Sequence, residues 1–152
     1  MTSPRIKDLA LAVVRIALGV LFAWAALTKL PNMELFAEET ANYRMLPASL
    51  VSLFAVCVAG VEVLSSALLI LGIAARAAAS VIAVLLVAFI VALSQALLRG
   101  IDLRCGCFGG AELASWGTVA RDVAMLGFCV PLVLAGGGRL LPQRKAASLR
   151  SQ

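Results

Sequence analysis

Four long apolar stretches, separated by short polar segments, dominate the hydrophobic pattern of this chain. They run over residues 8–30, 48–71, 77–98 and 117–138, and each is long enough to cross a bilayer as a helix, which takes about 20 residues. Proline and glycine stand at their ends, at Pro31, Pro47, Gly72 and Gly100, where helices typically begin or end. The pattern predicts an all-α fold, an integral membrane four-helix bundle.

The polar segments between the spans differ in character. Residues 32–46 mix apolar side chains with three glutamates, which predicts a short amphipathic helix. Residues 142–152 are polar and predict a tail outside the membrane. We therefore expect one four-helix domain over residues 1–141 and a separate cytoplasmic tail.

Composition supports lipid as the solvent of this chain. Hydrophobic residues make up 62% and charged residues 14%, against roughly 45–50% and 25% in soluble domains. The net charge is +5, but the basic residues form no patch that is interleaved with aromatic residues. We therefore expect no nucleic-acid partner. The chain has no histidine, which excludes histidine-based nucleophilic catalysis, Cys/His zinc sites and haem with histidine ligation.

The distribution of Lys and Arg predicts the orientation of the bundle. With four spans both termini lie on one side, and that side carries seven basic residues: Arg5, Lys7, Arg76, Arg139, Arg144, Lys145 and Arg150. The other side carries four: Lys29, Arg44, Arg99 and Arg104. Because basic flanks favour the cytoplasm, we expect cytoplasmic termini and outward-facing segments at 31–47 and 99–116.

The segment before the last span carries the most distinctive chemistry. Cys105 and Cys107 are separated by Gly106, and glycine permits the unusual backbone that such a small disulfide ring requires. A strained ring has a high reduction potential, which favours exchange. The neighbouring Arg104 favours the thiolate, the attacking species. We interpret this segment as an outward-facing thiol–disulfide redox site.

Two other interpretations of this segment remain open. Two thiolates could bind a soft metal such as Cu(I), with Met33 or Met45 as a further ligand. Alternatively, the cysteines are small residues in a glycine-rich turn. The other two cysteines, Cys57 and Cys129, fall inside spans, where we expect packing roles.

Ionisable residues inside spans form a second candidate site, because such groups are costly in lipid and are usually paired. Arg15 and Glu62 lie seven and nine residues from the predicted inner ends of their helices, a difference in depth of about 3 Å. We therefore expect an ion pair between them. The candidate pocket for a membrane electron carrier, such as a quinone, is formed by Lys29, Arg121 and Asp122. A purely structural role for these charges is the alternative.

Two features together resemble a known family. One is the series Arg15, Gly19, Phe22 and Lys29, followed by Pro47 and Glu62, and the other is the Cys-Gly-Cys-Phe-Gly stretch at 105–109. The chain is similar here to the methylamine utilisation protein MauE family, within the broader DoxX-like four-helix membrane proteins. The resemblance covers about residues 15–122. It maps the family's cysteine pair to Cys105 and Cys107, and its charged helix residues to Arg15 and Glu62.

The resemblance implies a role in forming or handling disulfides of exported proteins. In the family this role is linked to maturation of the methylamine dehydrogenase small subunit, alongside a thioredoxin-like extracytoplasmic partner. We therefore expect a thiol–disulfide oxidoreductase of the bacterial inner membrane. The competing classes are a copper-handling or transport protein that uses the same cysteines, and a structural membrane subunit.

Overall fold

The computed structural model describes residues 4–100 and 115–136. Within them the chain is helical, and its elements are α1 (Pro4–Lys29), a single 3₁₀ turn (Leu30–Asn32), α2 (Met33–Asn42), α3 (Ala48–Leu71), α4 (Ala75–Leu98) and α5 (Trp116–Ala135). Four helical stretches in these described ranges are long and apolar enough to cross a membrane. The predicted fold class, an all-α bundle of four spans, is confirmed.

The helix ends follow local chemistry. Pro47 precedes α3 in an extended conformation, and the Ser115 side chain accepts a hydrogen bond from the Thr118 backbone N–H at the start of α5. At the end of α3, Gly72 adopts a left-handed conformation with φ 74° and ψ 14°. The N–H groups of Gly72 and Ile73 there donate to the carbonyls of Leu69 and Leu68, which satisfies the end of the helix.

Neighbouring helices run antiparallel. A connection of only three residues, 72–74, joins α3 to α4. Arg76 at the start of α4 donates from Nη2 to the carbonyl of Leu134, 3.1 Å away at the end of α5. The beginnings of α3 and α5 and the end of α4 therefore share one end of the bundle. The segment that joins α4 to α5 leaves and enters at this end.

The first span does not end where the sequence predicted. A helical stretch continues from Ile6 to Asn42, interrupted at Asn32, whose φ of −130° and ψ of 52° are not helical. Phe36 of α2 is buried against Ala55 and Val58 of α3. The short helix predicted after Pro31 is confirmed, but it follows α1 along α3 as a continuation of the first span.

The core lies between the four long helices, and their outer faces are apolar. Its buried side chains come from α1, α3, α4 and α5 and include Leu18, Phe22, Leu69, Ile82, Leu86, Met125, Cys129 and Leu132. On the outside, Val84 is 69% and Leu134 73% exposed. Exposed apolar side chains on every long helix fit a lipid environment, in which all backbone polar groups are satisfied within the helices.

A close approach of α1 to α3 depends on Gly19. A Cβ atom added there would lie 2.8 Å from Ile70 Cγ1 and 3.3 Å from both the Ile70 backbone nitrogen and Leu69 Cβ. The face of α1 that carries Arg15, Gly19, Phe22 and Lys29 is buried along its length. Small residues on such a face let membrane helices approach closely.

We predict that Gly19→Ala lowers the free energy of unfolding by about 1–3 kcal/mol, the usual cost of overpacking. The reason is that Ile70 and the α3 backbone must move to admit the new methyl group. Thermal unfolding of the purified protein in detergent measures the loss. Gly60→Ala on α3 is the matched control, because a Cβ there has no neighbour within 4 Å. Equal melting midpoints for the two variants would contradict the prediction.

Candidate functional site

A salt bridge between α1 and α3 lies in the interior of the bundle. Lys29 Nζ is 2.7 Å from Glu62 Oε1 and 2.8 Å from Oε2, and both side chains are 2% exposed. Glu62 is 14 residues after the start of α3 and nine before its end, or about 21 Å and 14 Å at helical rise. The ion pair therefore lies deep in the span, far from either end of α3.

Two aromatic rings complete the surroundings of the Lys29 ammonium. Its Nζ lies 5.0 Å from the centre of the Phe36 ring and 5.6 Å from that of Phe89, which is within the range of cation–π attraction. One carboxylate and two rings thus stabilise this charge.

A second acidic group lies close by on α5. Asp122 is 2% exposed, and its Oδ1 accepts from Arg121 Nη2 at 3.3 Å and Nε at 3.4 Å. Lys29, Glu62 and Asp122 line one small cavity. Two basic and two acidic residues therefore form a charge-balanced group, although the Arg121 side chain is 38% exposed at its edge.

The cavity at these charges is small. Its volume is about 20 Å³, which is enough for a water molecule but not for a quinone ring. The three residues predicted as a carrier pocket are thus close in space, with Lys29 and Asp122 inside and Arg121 at the edge.

The predicted ion pair between Arg15 and Glu62 is wrong. Glu62 binds Lys29, and the Arg15 guanidinium lies beside Gly72, ten residues further along the chain and directly after the end of α3. The prediction assumed that the inner ends of the two helices are level at residues 8 and 71. Instead Gly19 lies opposite Leu69 and Ile70, which shifts α1 by about ten residues, or roughly 15 Å.

Arg15 has a different position, at the end of α3. It is 6% exposed, and a Cβ added at Gly72 would lie 2.9 Å from its Cζ. The carbonyl groups at a helix C-terminus carry partial negative charge, so a guanidinium is favoured there. Arg15 therefore joins α1 to the turn between α3 and α4.

The cysteines fall into three groups. Cys105, Cys107 and the neighbouring Arg104 lie outside the described residues, in the segment that joins α4 to α5. Cys129 is 1% exposed in the core, in agreement with its predicted packing role. The packing role predicted for Cys57 is wrong within this chain, because Cys57 is an exposed free thiol on the outer face of α3.

Sequence reasoning missed one feature, an apolar cavity of about 250 Å³ between α2, α3 and α4. Three phenylalanines line it, Phe36, Phe54 and Phe89. Phe36 and Phe89 also contact the Lys29 ammonium, so the cavity adjoins the ion pair. The sequence signal for this cavity was the presence of two aromatic residues, Phe36 and Tyr43, after Pro31. Their position against α4, however, depends on how α2 packs.

These observations define a class of protein. Four apolar spans enclose a charge-balanced group, and a cysteine-containing segment joins the last two spans at one end of the bundle. The chain is a multi-pass membrane protein with a polar centre.

The family follows from comparison with known sequences. The model of the family described as "Methylamine utilisation protein MauE" matches residues 7–135, and the chain belongs to this family. A relative from Paracoccus denitrificans, "Methylamine utilization protein MauE", is 35% identical over 147 residues, which cover 95% of this chain and 76% of the relative. No solved structure matches the chain. The resemblance drawn from the sequence is confirmed.

Proposed function

We propose that this protein is a membrane-bound thiol–disulfide redox protein that supports disulfide formation in exported proteins. The observation that carries the proposal is the Cys105–Gly106–Cys107 sequence in the segment between α4 and α5. Membership of a family named for methylamine utilisation supports a role in that metabolism. Maturation of the methylamine dehydrogenase small subunit is the specific role that the resemblance implies.

The proposed chemistry is thiol–disulfide exchange. One thiolate of the pair attacks a disulfide sulfur of a thioredoxin-like partner, and a partner thiolate leaves as the mixed disulfide forms. The second thiolate then attacks the mixed disulfide, which closes the Cys105–Cys107 bond and releases the reduced partner. In the reverse sequence a partner thiolate attacks the Cys105–Cys107 disulfide, and the partner leaves oxidised while the pair is left as a dithiol. This reverse direction is the one that supports disulfide formation. Arg104 next to the pair favours the thiolate at either stage.

The orientation proposed from the charge distribution places this exchange outside the cytoplasm. The termini and the turn at 72–74 face the cytoplasm of a bacterium, and the segment between α4 and α5 faces the oxidising side, where disulfides form and persist.

Trapping a partner tests the proposal. In Cys107→Ser, we expect Cys105 to retain a partner as a mixed disulfide, because the resolving thiol is absent, and the reciprocal variant identifies which cysteine attacks. Cys57→Ser, which removes an exposed thiol within a span, should behave as wild type. A thiol reagent that cannot cross membranes should label the reduced pair in intact cells.

Two outcomes would contradict the proposal. If neither variant captures a partner and the wild-type pair stays reduced in cells, thiol exchange is not its function. If the wild type instead retains stoichiometric Cu(I), and both cysteine variants lose it, the protein handles copper. Labelling of the pair only after the membrane is made permeable would reverse the proposed orientation.

A further inference from the structure

The cavity between α2, α3 and α4 has the features of a binding site for a planar, lipid-soluble molecule. Its lining is almost entirely apolar, and four aromatic residues contribute to it: Phe36, Tyr43, Phe54 and Phe89. Aromatic side chains favour offset or edge-on contacts with a flat ring. A saturated acyl chain gains nothing specific from such a lining, so the lining favours a ring.

The volume and the rim of the cavity limit what can enter. At about 250 Å³ it is slightly below the range of drug-sized sites, roughly 300–1,000 Å³. It therefore suits one ring with part of a chain. Phe54 and Ala88 at its edge are exposed, so the cavity opens on the lipid-facing surface, where an apolar chain can leave.

Polar groups lie at one end only. Glu39, Thr40 and Tyr43 belong to the last turns of α2 and the residue after it, which run toward the beginning of α3. Gly100 and Ser115, the described residues that border the segment containing Cys105 and Cys107, lie at this same end of the bundle.

We propose that this cavity binds a lipid-soluble para-quinone that accepts the electrons of the Cys105–Cys107 dithiol. The electron-transfer step rests on the proposed function, whereas the binding step does not. In the reaction the two thiols lose two electrons and two protons and form one S–S bond. The quinone gains both electrons and both protons and becomes the quinol, which diffuses into the bilayer.

Filling the cavity tests the binding step. The probe is decylubiquinone, added to the full-length protein in phosphatidylcholine nanodiscs. We expect Ala88→Phe to weaken its binding at least tenfold, because the new ring occupies the cavity. Ala77→Phe is the matched control, since Ala77 is exposed on the same helix and does not line the cavity. Decanol, which has the chain without the ring, should not displace the quinone.

Separate readouts distinguish failure of this site from failure of the thiol chemistry. Cys105→Ser/Cys107→Ser should bind decylubiquinone as the wild type does but reduce none of it. The reduced wild-type protein should lose two thiols per quinol formed, and Ala88→Phe should slow this reaction at least tenfold. Equal binding by Ala88→Phe and Ala77→Phe, or displacement by decanol, would overturn the site. A protein that captures a partner disulfide but binds no quinone would also overturn it, while thiol exchange would stand.

Discussion

Lys29→Met should lower the free energy of unfolding of this protein by about 3–5 kcal/mol, the usual cost of removing one partner of a buried ion pair. The change leaves Glu62 buried without the ammonium that donates to both its oxygens at 2.7 and 2.8 Å. The remaining carboxylate is then neither solvated nor compensated. Asp122 lines the same small cavity, so two carboxylates would face each other without Lys29.

The converse substitution should cost less. Glu62→Leu leaves the Lys29 ammonium in place, and that ammonium keeps Asp122 as a nearby anion together with the rings of Phe36 and Phe89. The double variant Lys29→Met/Glu62→Leu should recover most of the stability, because replacing both members of a buried pair by apolar groups is often neutral. We therefore expect Lys29→Met to be the least stable of these variants, and this expectation follows from the observed contacts of Lys29.

The buried thiol of Cys129 provides the measurement. In a background with Cys57, Cys105 and Cys107 changed to serine, Cys129 is the remaining thiol, and at 1% exposure it should react with a maleimide only when the bundle opens. The labelling rate on heating then reports unfolding. Glu38→Gln is the control, since Glu38 is exposed on α2 and surface changes cost at most about 0.5 kcal/mol. Two single variants as stable as wild type would contradict the pairing.

Gly72→Ala should produce the second large effect. Gly72 has a φ of 74°, and an L-residue in the left-handed conformation costs about 1–2 kcal/mol. The added Cβ would also lie 2.9 Å from Arg15 Cζ, so the end of this flexible side chain must move away from the end of α3, and the lost interaction with the helix dipole adds about 0.3–1 kcal/mol. The same Cys129 labelling assay measures the loss.

Ala74→Gly, two residues later in the same turn, is the control, because its expected effect on the free energy of unfolding has the opposite sign. It already adopts a left-handed conformation, with φ 49°, so Ala74→Gly relieves backbone strain. Part of that gain is cancelled by the greater entropy of glycine in the unfolded chain, about 0.4–1 kcal/mol. We therefore expect Ala74→Gly to be neutral or slightly stabilising. If both substitutions destabilised the protein equally, the turn geometry would not be the cause.

The sequence by itself determined the local properties of this protein. Helix α3 (Ala48–Leu71) begins and ends where Pro47 and Gly72 predicted, because hydropathy, proline and glycine act within one segment. The packing role of Cys129 was also predicted, since Cys129 falls inside an apolar span. Family membership rested on short local motifs and was equally readable.

Only the tertiary structure decided how the helices align. Lipid solvates apolar helices equally at many registers, so the depth of Glu62 in its own helix did not reveal its partner. Close packing at Gly19 sets the register of α1 against α3. In this register Glu62 forms its salt bridge with Lys29, and Arg15 lies beside Gly72. The packing of Phe36 on α3 likewise forms the cavity beside the ion pair. Such contacts join residues far apart in the chain, and no local pattern encodes them.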